Sequence, residues 1–530
     1  MVYYIKNYLL HNKARFAILL IMAIITMSFS LVLPLLNRNF LNVLLLSPDK
    51  DYIIIYALII VLISLLNCSI NYFYQYNLKK YSGEASINLI NKSISDIFHM
   101  DYLHFKSFNT EYLAQRIIND SNSIIGFIYL NFFPFFVGIF QFAFLILIIL
   151  NANFKIFLLF VFFSPVYLIL YLVIKKPLYN KGKDLKDTST LYSGKIIEAI
   201  RLTPEIKKDN SEEQYINNMG KQFRDYYSSF LKFNKLSILF NSIDTIISVT
   251  FQAIVLVIGG VSVLSGKMTI GDFSMFLIFF NMYIKGLRSF LEYHKCKQDF
   301  LVSVNRMEEI RLIEKEMSGS VIVTDVRKIS LSNIAFEYTQ GHKIFNNLTI
   351  DFEKGRLTII KGANGSGKST LGEIMIGLIK CQKGYVIIND EEIKNIDIFD
   401  LRKKRVTVLP QGCRYPNESV FNYLSMFGMD GKQYDYARKL FIECFNIDIQ
   451  LFLTKNLLSL SEGERQKINL FKTLLKKADA YIFDEPESYL DKNSINSLPK
   501  FFSQLKKNHI VIIISHSEFF DDIADSIITL

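Results

Sequence analysis

The 530 residues contain no tryptophan and only ten prolines, and the five cysteines (Cys68, Cys296, Cys381, Cys413, Cys444) are scattered without paired spacing. That spacing excludes a cysteine zinc site and a disulfide framework, and leaves reduced structural thiols. Internal repeats and low-complexity tails are also lacking. A net charge of +11 raises the question of nucleic acid, yet no compact basic patch lies beside exposed aromatics, and we exclude that partner. The Lys and Arg residues collect instead at the ends of apolar segments.

Those apolar segments dominate the first half of the chain. The composition is 51% hydrophobic with 46 Phe, and the mean hydropathy is +0.25. Such a value suits a mixture of membrane-embedded and water-soluble parts. The length calls for at least two domains. About 20 apolar residues span a bilayer core, and six stretches qualify: Arg15 to Leu36, Tyr52 to Phe73, Phe127 to Leu150, Ile156 to Ile174, Phe240 to Leu264 and Phe273 to Tyr293. The first is too long for a signal peptide and lacks a small-residue cleavage site, so it reads as an uncleaved span.

Basic residues set the orientation. The connections after the second and fourth spans hold Lys79 and Lys80, then Lys175, Lys176, Lys181, Lys183, Lys186, Lys207 and Lys208. The positive-inside rule therefore places both termini in the cytoplasm. These two connections, Tyr74 to Gly126 and Lys175 to Leu239, show apolar residues at helical spacing and only Pro177 and Pro204 as breakers. Membrane helices that continue into the cytosol and turn back would account for them, as would a small soluble domain. Near Ser318 to Ser320 a charged helix gives way to β-rich sequence. The expected organisation is a six-helix membrane domain over residues 1–313, a linker over 314–326, and an α/β domain over 327–530.

The α/β domain carries the most specific motif. "GANGSGKST", Gly362 to Thr370, follows the strand "RLTII" and precedes the helix pattern "LGEIMIGLI". This is a phosphate-binding loop in its expected context. Gly362, Asn364, Gly365, Ser366 and Gly367 let backbone N–H groups wrap phosphates; Lys368 supplies a charge, Ser369 a hydroxyl for Mg²⁺, and Thr370 opens the helix. The buried-type strand "AYIFDEP" ends in Asp484, placed to hold Mg²⁺, and Glu485, placed to polarise water. Between them, "LSEGERQKINL" puts Ser461 and Gly463 at a helix start, which reads either as a second anion site or as an ordinary N-cap.

In this order the motifs resemble the ATP-binding cassette family over essentially the whole chain. The resemblance implies that Tyr338 in "AFEYTQ" stacks on adenine, that Gln411 in "VTVLPQG" senses Mg²⁺ and contacts the membrane domain, that Asp491 ends a D-loop, and that His516 contacts the γ-phosphate. It implies ATP and Mg²⁺ as cofactors, with Glu485, His516, Lys368 and Gln411 as the catalytic set. One cassette's phosphate loop would face the signature of another, so the unit needs two chains, most simply a homodimer, alternatively a heterodimer. Here the signature reads "LSEGE", with Glu462 and Glu464 where Gly and Gln are usual. Carboxylates beside a triphosphate are unfavourable unless they turn away. The glycine-containing stretch before the signature is not recognisable in "LFLTKNLLSL" either.

The membrane half resembles the exporter branch of that family through "MDYLHFKSFNTEYLAQRIINDSNSI", "IIEAIRLTPEIKKDNSEE", "SGKMTIGDFSMF" and "SVNRMEEI". Short helices at the bottoms of the two long loops would transmit ATP-driven closure to the bundle, giving alternating access across the cell membrane. Counting by helical rise places Asp244 and Arg288 at similar depth with Lys285 one turn away. They read as a structural pair, or, with Tyr283 and Asn281, as a basic cavity for amphipathic cargo. A small peptide is the first expectation for that cargo. Lipid or drug export, import of a metal-chelator complex, and a regulatory or channel-like subunit that binds ATP without pumping are the alternatives.

Overall fold

The computed structural model describes all residues except 1, 10–12, 47–49, 109, 339–342, 414 and 430. Lys175 (its side chain), Asn109, Thr339 and Gln340, which the sequence reading used, lie outside the described parts. The chain divides into two compact units, one of Met1–Ser95 with Thr110–Arg311 and the other of Asp96–Asn109 with Leu312–Leu530.

The first unit is all helix. Its long elements are α1 (Lys13–Leu46), α2 (Lys50–Phe98), α4 (Thr110–Gly126), α5 (Phe133–Ala152), α6 (Phe154–Arg201), α8 (Glu212–Leu264) and α9 (Ile270–Leu312). A π turn, Phe127–Phe132, joins α4 to α5. Among the described residues six helices are long and apolar enough to cross a membrane, and each contains most or all of one of the six stretches marked in the sequence. The fold is that of a multi-pass membrane protein. Helix α8 has 53 residues and so runs about 80 Å, far beyond a bilayer core of about 30 Å. The long connections are thus continuations of the spans, and not a separate soluble domain.

Local chemistry fixes the tight turns. Asn153 caps α6 by accepting from the N–H groups of Lys155 and Ile156 at 3.0 and 3.2 Å, which lets α6 double back directly from α5. In the first turn of α9, Asp272 accepts from the Thr269 hydroxyl at 2.7 Å and pairs with Arg38 of α1 at 2.6 Å. Gly271 is needed there, since a Cβ would lie 2.1 Å from the Arg38 carbonyl. Phe160, Phe163, Phe276, Phe279 and Phe280 fill the core between α6 and α9. Deeper along the bundle Asp244 accepts from the Tyr167 hydroxyl at 2.5 Å and pairs with Arg288. This bears out the structural pair and removes Arg288, Tyr283 and Asn281 from the basic-cavity reading, while Lys285 does line an aromatic cavity. Arg288 is neutralised by Asp244, Tyr283 is buried with its hydroxyl on the Phe160 carbonyl at 3.0 Å, and Asn281 bonds its own helix.

The second unit holds two sheets. A four-stranded antiparallel sheet runs β2 (Lys343–Glu353), β1 (Lys328–Glu337), β4 (Lys383–Ile388), β5 (Glu391–Glu392). A five-stranded parallel sheet has the order β6 (Val406–Leu409), β7 (Ala480–Asp484), β8 (Ile510–Ile514), β3 (Leu357–Lys361), β9 (Ser526–Thr529). Strands β7 and β8 are buried at every position, as their unbroken apolar runs require when helices cover both faces. Residues 312–326 lie against the sheets: Gly319 N–H bonds the Ile396 carbonyl at 2.8 Å, and Arg402 pairs with Glu316 at 2.8 Å. A short helix of the first long loop, α3 (Tyr102–Ser107), also belongs to this unit. Its counterpart in the second loop, α7 (Thr203–Asp209), belongs to the helical unit.

Candidate functional site

Register decides where the site lies. Ile360 of β3 is level with Ile514 of β8, and Ile514 with Asp484 of β7. The residues that follow these strands, the loop from Gly362, Glu485 and His516, therefore emerge side by side at the carboxyl edge of the parallel sheet, where open α/β sheets bind ligands. There a cleft of about 680 Å³ is lined by Tyr338, Asn364, Gly365, Gly367, Lys368, Ser369, Thr370, Gln411, Asp484, Glu485 and His516. Eleven positions chosen from sequence meet in one place.

The loop is built to receive an anion. Gly365 and Gly367 have φ of 85° and 93°, and a Cβ on Gly367 would sit 2.2 Å from Ile344 Cγ2. Only glycine fits there. Gly367 leads into α10 (Lys368–Met375), whose first N–H groups and dipole favour negative charge at that spot. Ser366 Oγ is buried without a hydrogen-bond partner, a donor left for a ligand. A Cβ on Gly362 would press on that same oxygen at 2.6 Å. Lys368 is mostly buried, its Nζ held by the carbonyls of Gly362 and Ala363 at 2.9 and 3.0 Å. These features fit a nucleotide triphosphate.

Oxygen donors for a divalent cation stand opposite. Burial pushes the Asp484 carboxyl above its ordinary range, against a hydrogen bond from Ser369 and the charge of Lys368. A hard cation would favour its ionised form, and Mg²⁺ commonly binds through few protein oxygens plus substrate phosphates. Glu485 accepts from Gln411 Nε2 at 2.6 Å and Ser488 Oγ at 3.2 Å, and lies 3.6 Å from His516 Nδ1. Its backbone is left-handed at φ 46°, a strained conformation for a non-glycine residue that aims the carboxylate into the cleft. Tyr338 meets Phe336 edge-on at 4.9 Å and bonds the Thr370 hydroxyl at 3.0 Å, leaving its ring at the cleft margin.

Ser461, Gly463 and Asp491 do not line this cleft. Ser461 is the N-cap of α14 (Glu462–Leu475) in a complete capping box: the Glu464 carboxylate accepts from Ser461 N–H at 2.9 Å and from its hydroxyl at 3.1 Å, while Glu464 N–H donates back to Ser461 Oγ at 3.2 Å. Glu462 turns to Arg465 at 3.1 Å. Both unusual carboxylates thus have local partners. The backbone hydrogen bond from Ser461 holds the Glu464 carboxyl below the ordinary range. Gly463 runs close under the Tyr489 carbonyl, where a Cβ would lie 2.7 Å away. Asp491 caps α15 (Lys492–Leu505) and is held well below the usual carboxylate range by Lys467, 2.7 Å away.

Two residues escaped sequence reading. Glu373, one turn beyond the phosphate loop on α10, accepts from the Tyr102 hydroxyl at 2.9 Å and from Lys106 Nζ at 3.0 Å, so it joins the loop's helix to α3. Its partners lie 271 and 267 residues away, and no local signal marks it. Glu487 bonds the Ser515 hydroxyl beside His516, and burial raises its carboxyl.

Comparison with known proteins agrees with this geometry. The sequence matches the ABC transporter transmembrane region over residues 16–287 and the ABC transporter domain over residues 345–488. Relatives include the transport/processing ATP-binding protein ComA of Streptococcus pneumoniae, 24% identical over 444 residues. Another is the lactococcin-A transport/processing ATP-binding protein LcnC of Lactococcus lactis, 24% identical over 446 residues. Each alignment covers 82% of this chain but 62% of the relative, so the chain spans less than two thirds of their length. The structure of a bacterial Atm1-family ABC exporter with ATP bound superposes with a TM-score of 0.82 over 98% of this chain and 93% of that one, at 17% identity. With the membrane-region match alone covering more than half of the residues and the cassette match following it at the cleft, this chain belongs to the ABC transporter family.

Proposed function

We propose that the chain is one half of an ATP-driven exporter, with ATP hydrolysed in the cleft of the second unit and cargo moved through the helical unit. The observation that carries this reading is the convergence of Lys368, Ser369, Gln411, Asp484, Glu485 and His516 on one cleft in a chain with six candidate spans. Lys368 and the N–H groups of the glycine loop hold the phosphates. Ser369, Gln411 and Asp484 would hold Mg²⁺, which would supply charge neutralisation for the phosphates. Glu485, fixed by Gln411 and Ser488, orients the attacking water and takes up its proton; His516 holds the γ-phosphate end.

Because Ser461, Gly463 and Asp491 stand outside the cleft of their own chain, a second copy supplies them, and a homodimer is the simplest assembly. The domains follow as residues 1–313 and 327–530 joined by 314–326, with both termini and the cassette cytoplasmic in a cell-membrane protein. Peptide cargo is supported by relatives named for lactococcin-A transport and processing. The Atm1-type fold also accommodates other amphipathic cargo. The test is ATP hydrolysis by the purified chain in lipid across peptides, lipids and dyes, with vesicles of defined sidedness. Stimulation and outward movement by peptides alone are expected. Stimulation by lipids or dyes alone would replace the cargo class, and no hydrolysis would remove the reading.

A further inference from the structure

A cavity of about 380 Å³ lies in the helical unit between α1, α5 and α9, lined by Phe135, Phe142, Phe290 and Tyr293 together with Lys285 and Glu292. The rings of Phe135 and Tyr293 stack at 4.0 Å and Phe142 meets Phe290 at 5.7 Å, so the walls are aromatic and already packed. The Asp244–Arg288 pair is not part of its lining. Among the described residues neither Lys285 nor Glu292 has an ion-pair partner.

Lys285 and Glu292 stand on the same helix seven residues apart, which is two turns and places both on one face about 10.5 Å from each other. That is too far for them to pair, so they line the cavity as two separate, exposed charges. A charge in or beside a span is costly and ordinarily has a function. Both lie in the inner part of the sixth apolar stretch, Phe273 to Tyr293, with Lys285 the deeper and Glu292 near its end. The volume is at the small end of ligand pockets, which run from about 300 to 1,000 Å³, and admits a short segment and not a folded peptide. A complementary occupant carries an anion and a cation about 10 Å apart with apolar side chains between. A tripeptide with free termini has that reach, about 10 Å when extended.

We propose that this cavity binds a short zwitterionic peptide end, its carboxylate on Lys285 and its ammonium on Glu292, so that the peptide lies carboxyl end deepest in the span. This rests on the exporter reading and names the charge pattern of its cargo. The test uses the full chain in lipid nanodiscs without nucleotide and equilibrium dialysis of radiolabelled Phe-Ala-Phe in three forms: free, C-amidated and N-acetylated. Either block is expected to weaken binding about two- to fivefold, the loss of one ion pair. Lys285→Gln is expected to bind the free and amidated forms alike, and Glu292→Gln the free and acetylated forms alike. Equal binding of all three forms by the unmodified chain overturns the proposal, and that comparison needs no variant to fold. So does the absence of saturable binding at concentrations on the order of millimolar, or an amidation penalty that survives in Lys285→Gln. ATP hydrolysis by the same preparation separates the two readings: if it is present while the three forms bind equally, only the charge pattern fails.

Discussion

The two units of this chain use buried charge in opposite ways. In the cassette, Lys368, Asp484 and Glu485 are kept beside one another by strand register, and their mutual costs are left open toward a cleft. In the helical unit the buried Asp244 is closed onto Tyr167 and the half-exposed Arg288, a network that ties α6, α8 and α9 together. The first arrangement stores capacity for a charged ligand; the second holds helices together. The difference shows that depth and charge alone do not mark a site, and that an unsatisfied partner does.

The sharpest way to break this contrast is at Glu485. Glu485→Gln keeps the hydrogen-bonding shape but loses the base, so hydrolysis is expected to fall by about 10²- to 10⁴-fold with nucleotide binding retained. Steady-state turnover at the original rate would show that the cleft is not catalytic. Gly367→Ala comes next. It adds a Cβ where φ is 93° and Ile344 is 2.2 Å away, so nucleotide affinity, read by a fluorescent ATP analogue, should drop more than tenfold.

The closed pair predicts a loss of stability instead. Asp244→Leu leaves the half-exposed Arg288 without its buried partner and should destabilise the helical unit by about 1–3 kcal/mol, whereas Asp244→Leu with Arg288→Leu should recover most of it. Thermal unfolding in detergent compares the two. Equal losses in the single and double variants would mean that the pair is not what holds α8 to α9.

What could be read in advance follows the same division. The phosphate loop is legible because its glycines, lysine and flanking strand and helix are contiguous, and their conformation is dictated locally. Spans are legible because a bilayer demands length and apolarity. The Asp244–Arg288 pair was legible as one of two readings, because counting along α8 and α9 puts both at similar depth; the choice between pair and cavity was not, because sequence does not give which residue of α8 faces Arg288. Glu373 was invisible for a related reason: an ordinary glutamate on a helix acquires meaning only when Tyr102 and Lys106 arrive from a distant loop. Glu373→Ala therefore sharpens the comparison from the cassette side. It should leave basal hydrolysis within about twofold, since exposed ion pairs contribute about 1 kcal/mol or less, yet reduce the stimulation by cargo. Full stimulation in this variant would show that α3 carries no signal through Glu373.

The smallest effect is expected at Glu464, where the capping box occupies the donors of Ser461. Its carboxylate takes both the N–H and the hydroxyl of the residue expected to meet a phosphate from the partner chain. Glutamine at this position can keep the box while removing the charge, so Glu464→Gln should tighten ATP-dependent dimerisation by a few fold, about 0.5–1 kcal/mol. The sign of the pH dependence separates charge from shape. Because the folded-state pKa of Glu464 is lowered, its contribution to stability is present above the ordinary carboxylate pKa and is lost as pH falls through the lowered value. Acid unfolding of Glu464→Gln should therefore be less steep than that of the unmodified chain. Identical acid profiles, together with unchanged dimerisation, would mean that Glu464 acts through its hydrogen bonds alone and that the unusual signature costs this chain nothing.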